Sequence, residues 1–133
     1  GEAAEGFLGL GIVDLDSDSA SMQLYRELFA ENTSDMRAGI YHTFGFGIAQ
    51  ALAEGLQRAG RDLTREKLIQ AMETFDGWDG SVLPPFTFGP NLRGGSAASA
   101  FMVKADVANK RVVRASDWLH FKRPTPVVQQ AAE

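Results

Sequence analysis

The stretch that decides the fold is Thr43–Phe75, TFGFGIAQALAEGLQRAGRDLTREKLIQAMETF. Ile48, Leu52 and Leu56, flanked by Ala49, Ala51 and Ala59, recur at the spacing that lines up apolar side chains along a helix. Gly60 follows where a helix stop belongs. The chain then restarts at Asp62-Leu63-Thr64-Arg65-Glu66-Lys67-Leu68. Thr64 stands at the N-cap, where its hydroxyl can accept an unpaired backbone N–H of the new first turn. Leu63 and Leu68 occupy the two positions of a hydrophobic staple. Leu68, Ile69, Met72 and Phe75 carry the stripe onward, so the spacing predicts two helices joined by a short turn.

Toward the N-terminus, Phe7, Leu8, Leu10, Ile12 and Val13 form a short apolar run suited to a buried strand. Asp14 to Ser19 is turn and cap chemistry, and Ala20 to Ala30 reads as a helix with Leu24, Tyr25, Leu28 and Phe29 on one side. Glu31 to Gly39 reads as a loop. Toward the C-terminus, Gly77, Gly80, Pro84, Pro85, Pro90, Gly94 and Gly95 break every helix, and Phe86–Phe88 is at best a short strand. Ala98–Lys104 and Arg111–Trp118 read as an antiparallel hairpin with a loop over 105–110. The tail from Pro124 should be loosely held. Strand, helix, helix pair and hairpin in that order suggest α/β with an antiparallel edge.

The composition of the 133 residues, 44% apolar and 23% charged, is that of a globular domain rather than a disordered or fibrous chain. The first 35 residues hold eight acids and one base, and from Val103 onward six bases face three acids. That asymmetry describes solvated faces, and with a net charge of −4 and no basic stripe a phosphate-tracking nucleic-acid binder is excluded. With no cysteine there is no disulfide scaffold, thiolate zinc site or cysteine nucleophile. The longest uncharged stretch, 38–53, is too short and too polar to span a membrane. The opening Gly1–Glu5 has neither a basic n-region nor a Met, so the chain reads as cut from something longer.

Few residues point to catalysis. Asp14, Asp16 and Asp18 begin like a calcium loop, but Ser19 and Tyr25 stand where Gly and Glu are needed, and a capping loop fits better. Gly6, Gly9 and Gly11 do not make a dinucleotide fingerprint. His42 and His120 lack ligand-spaced partners, and no nucleophile elbow is present. No catalytic residue, metal ligand or cofactor is therefore expected. The cluster Tyr41, His42, Phe44, Phe46 is more informative. Phe44 and Phe46 suit core packing, whereas Tyr41 and His42 carry polar handles just before the helix, where loops meet ligands. Trp78 and Trp118 read as packing anchors.

Gly45–Leu68, Leu83-Pro84-Pro85-Phe86-Thr87-Phe88-Gly89-Pro90 and the hairpin end Ser116-Asp117-Trp118-Leu119 together resemble a known family. It is the C-terminal part of branched-chain amino-acid-type solute-binding proteins, the periplasmic receptors of ABC importers with the type I periplasmic-binding fold. Ala4–Gly9 is similar to the strand entry that precedes this region, so the resemblance covers nearly the whole chain. It implies a two-lobed α/β protein with helices on a mainly parallel sheet plus a C-terminal β-hairpin. Residues 1–85 would be part of one lobe, with the stretch from Asp14 completing it. Residues 86–98 would be a crossover, 99–121 a hairpin contributed to the other lobe, and 122–133 a flexible tail. The N-terminal portion of the receptor would lie outside this chain.

The resemblance further implies a non-enzymatic protein that traps a small ligand between its lobes and delivers it to an ABC permease in the membrane. The ligand would be an amino acid or a related aromatic or aliphatic carboxylate or amide. By position, Tyr41 would reach the cleft, with His42 and then Phe44 as further ligand-binding candidates. A precursor signal peptide and a periplasmic location, or an extracellular lipoprotein tether, would follow. Two rival readings are a ligand-responsive sensor or regulator of the same fold, and an interaction module whose apolar strand edges pair between copies.

Overall fold

A computed structural model describes residues 2–32, 39–90, 92 and 99–121; the tail from 122 lies outside them. Its elements are a 3-10 turn at Glu2–Ala4, β1 (Leu8–Gly11), α1 (Ala20–Asn32), α2 (Ile40–Ala59), α3 (Arg65–Met72), β2 (Ser99–Asp106), β3 (Arg111–Arg114) and β4 (Leu119–His120).

The Asp/Ser segment before α1 is a capping loop. Asp14 Oδ1 accepts the Asp16 N–H at 3.2 Å, and the Ser19 hydroxyl accepts the Met22 N–H at 3.3 Å, closing the first turn of α1. Met22 and Tyr25 of α1 join Val13 and Val82 in one buried cluster, with Phe29, Phe46 and Leu83 around it. The Tyr25 ring lies 5.6 Å from Phe29 and 5.4 Å from Phe46, so α1 packs against the start of α2 through aromatic contacts.

The helix pair forms as its spacing predicts, with one difference in phase. Gly60 ends α2 at φ 79° and returns its N–H to Leu56 O at 3.1 Å. The Thr64 hydroxyl caps α3 by accepting the Lys67 N–H at 3.2 Å. Yet the buried face of α2 is Thr43, Gly47, Ala51 and Gly55, not the larger apolar residues. Small residues win that face because the chain approaches closely there. A Cβ on Gly47 would stand 2.5 Å from Leu83 Cγ, and one on Gly55 would strike the Met72 sulfur of α3.

Past α3, Phe75 is fully buried among Ala51, Phe86, Met72, Trp78 and Phe88. Arg58 covers this second cluster with its guanidinium 4.5 Å from the Phe75 ring centre, while donating to Thr74 Oγ1 at 2.8 Å. Phe86 makes only an isolated bridge with Trp78, so 86–88 is not a strand of the sheet.

The sheet has the order β1-β2-β3, with Leu8 opposite Lys104, Gly11 opposite Phe101 and Val103 opposite Arg114. β4 pairs further along β2, after a break in which Ala115 N–H donates to Met102 O at 2.8 Å and Ser116 Oγ accepts the Met102 N–H at 2.8 Å.

Three expectations are corrected. Every strand pairing among the described residues is antiparallel, so the mainly parallel sheet is not formed by these strands. Second, β1 is an outer strand rather than a buried one, with Phe7 72% and Leu10 66% exposed. Third, β2 runs on to Asp106, which shortens the hairpin loop to 107–110. Asp106 accepts from both the backbone and the side-chain amide of Asn109, and Lys110 takes the left-handed φ of 52° that closes the turn.

Candidate functional site

α2 begins at Ile40, three residues earlier than the apolar spacing suggests, because Gly39 O already accepts the His42 and Thr43 N–H groups at 3.1 and 3.2 Å. Tyr41 and His42 therefore lie in the first turn of the helix and not in the loop before it. The helix then separates the three candidates. His42 turns toward α1, with its ring edge-on to Phe29 at 5.5 Å. Tyr41 is 88% exposed, and Phe44, three residues on, lies on the same side at 38%. Ile48, Leu52 and Leu56 continue from Phe44 at four-residue intervals, all exposed, so Tyr41 heads an open apolar stripe running the length of α2. Phe46 packs on Tyr25, as expected of a core aromatic.

A second feature was not legible in the sequence. Where the segment leaving β1, the segment following α3 and the break between β3 and β4 meet, there is an open hollow of about 210 Å³. Asp14, Ser17, Ser81, Pro84, Arg114 and Trp118 are among its lining residues, and none of Tyr41, His42 and Phe44 reaches it. Arg114 and Asp14 are its charged lining residues, and they pair through Arg114. Its Nη1 donates to Asp14 Oδ2 at 2.7 Å and its Nε to Ser116 O at 2.7 Å, while its guanidinium carbon lies 4.9 Å from the Phe101 ring and 5.4 Å from the Trp118 ring. Trp118 is thus an anchor, as its sequence context suggests, standing edge-on to Phe101 at 4.9 Å. Asp14 gave no sign of this role, because its partner is 100 positions away and its local setting is that of a turn.

These two surfaces offer contact area and hydrogen-bonding groups, which is the chemistry of binding. Among solved structures, the chain is similar to a leucine-binding protein, LivK, from Thermotoga maritima, with a TM-score of 0.65 at 16% identity over 90% of this chain. It is also similar to an ABC transporter substrate-binding protein from Sphaerobacter thermophilus, with a TM-score of 0.68 at 18% identity, again over 90% of this chain. The fold is that of part of a type I periplasmic-binding protein. The chain spans 32% of each of these two proteins. No protein-family model and no curated protein matches it. Among the described residues, no helix is long and apolar enough to cross a membrane.

Proposed function

We propose that this chain is the C-terminal portion of the substrate-binding component of an ABC-type importer, which holds an amino acid or a related small carboxylate or amide between two lobes. The observation that carries the reading is the match of 90% of the chain to one third of two solute-binding proteins. The exposed apolar stripe of α2 and the outer strand β1 support it. Both are surfaces that the remaining two thirds of such a receptor would cover, and burying them would add to its stability.

In this reading the helices from Asp14 to Pro85 belong to one lobe and the hairpin 99–121 to the other, with the crossover expected over 86–98 lying largely outside the described residues. The pairing of β1 with β2 favours grouping residues 8–11 with that hairpin. Tyr41 reaches the cleft from the first turn of α2, its ring supplying contact area and its hydroxyl a hydrogen bond to a ligand carboxylate. Phe44 extends the apolar wall, and His42 supports the turn from behind while presenting a ring nitrogen. Capture follows from lobe closure, since only the closed form touches ligand from both sides. The loaded receptor then docks on a membrane permease from the periplasm or the outer membrane face.

Calorimetric titration of L-leucine and of other amino acids into the receptor containing this chain tests the site. Tyr41→Ala should weaken binding of the active ligand by about 1–3 kcal/mol, the range of an aromatic anchor. An unchanged affinity removes Tyr41 from the cleft.

A further inference from the structure

We infer that the Asp14–Arg114 ion pair is a latch that fixes the angle between the sheet and the helical part of the molecule. The two parts have separate interiors. The helices bury their own aromatic clusters around Tyr25 and Phe75, and the sheet buries Phe101 under Trp118 and Arg114. Neither buried cluster of the helical part includes a residue of β1 to β4, so no shared core sets their relative orientation among the described residues. A hollow of about 210 Å³ separates them at the point where they come together.

Across that hollow reaches Arg114. On its own side it is held by the Ser116 carbonyl and by the faces of Phe101 and Trp118, which leaves Nη1 pointing at Asp14 with little rotamer freedom left to lose. Asp14 is equally prepared, since Oδ1 is occupied by the Asp16 N–H and Oδ2 takes the arginine. The two side chains keep 20% and 32% exposure, so the contact is partly desolvated, unlike the exposed pair of Lys67 and Asp62. Among the described residues, the other ion pairs, Arg58–Glu54, Lys67–Asp62 and Arg111–Asp106, each stay within one part. Asp14–Arg114 alone of these joins a residue of the hairpin to the segment entering α1. A short charge-assisted contact between prepared partners is directional, and an apolar contact is not. It can therefore select one angle. That the angle governs ligand capture rests on the receptor reading above; the latch itself does not.

The chain has no cysteine, so paired spin labels can be placed freely. Labels at exposed positions of the two parts, Gln57→Cys on α2 and Val112→Cys on β3, report the angle through their distance distribution in pulsed electron–electron resonance. The expected result is one narrow distribution for the parent chain and a distribution at least twice as wide for Asp14→Asn, with unchanged far-ultraviolet circular dichroism. Arg114→Gln should do the same, and it decides the matter if Asp14→Asn does not fold. Lys67→Met, which breaks a pair inside the helical part, should leave the distribution unaltered. A folded Asp14→Asn or Arg114→Gln chain with the parent's width would overturn the latch. Because no ligand is added, that outcome is separate from any failure of the receptor reading.

Discussion

Thr64, Gly47 and Asp106 each carry a structural consequence that one substitution can expose. Thr64→Ala removes the hydroxyl that caps α3 and should cost about 1 kcal/mol, read as a lower denaturation midpoint with an unchanged denaturant slope. Gly47→Ala should gain about 1 kcal/mol of helix propensity and lose more than that, because Leu83 and Val82 lie too close for a methyl group. The net effect is destabilising by roughly 1–2 kcal/mol, measurable in the same titration. At Asp106, the Asn109 side-chain amide and then its backbone N–H hold the carboxyl below its ordinary value of 3.8, with Arg111 adding to them. A lowered carboxyl contributes stability that is present in full above the unfolded value and is lost as pH falls through the folded one. The hairpin turn should therefore loosen only in acid below pH 3.8, and an NMR titration of Asp106 should show a midpoint beneath that value. Of these three, the cap at Thr64 was legible because capping depends on residues within one turn. The crowding at Gly47 depends on Leu83, 36 positions away, and left no local trace.

Among the elements, α2 was legible in its period but not in its phase. Two stripes run along it at four-residue spacing, one of Thr43, Gly47, Ala51 and Gly55 and one of Phe44, Ile48, Leu52 and Leu56. Hydropathy selects the second as the inward face, yet close approach to Leu83 and Met72 turns the first inward. The run Phe7–Val13 misleads in a similar way, because apolar residues identify a strand that can be buried without saying by what. The exposure of Phe7, Leu8, Leu10 and Ile12 becomes understandable once the chain is seen to match a third of a larger fold. The two stripes make opposite predictions for substitution. Leu52→Glu should leave the stability of the isolated 133-residue chain within about 0.5 kcal/mol, as at ordinary exposed sites. In the proposed receptor, where this face would be covered, the same change should cost about 2 kcal/mol or more, because a carboxylate would be buried there without a partner. Thermal unfolding of the two proteins, with and without the substitution, gives both numbers.

At the scale of the whole molecule, the order strand, helix, helix pair and hairpin was readable from turn chemistry and spacing alone. The relation of those elements in space was not. The Asp14–Arg114 contact and the β1–β2 pairing both join residues at least 90 positions apart, beyond the reach of any local pattern. Such long-range contacts set where the hollow lies and which surfaces remain open, and the open surfaces agree with the proposed two-lobed receptor. Capture of an amino acid by the proposed receptor is the reading to test. Its most direct test is the melting temperature of the receptor containing this chain, measured with each of the twenty common L-amino acids in turn. A ligand present at one hundred times its dissociation constant adds about 2.7 kcal/mol, so at least one amino acid should raise the melting temperature by roughly 5 °C. Identical melting temperatures with every amino acid at millimolar concentration would contradict capture of an amino acid.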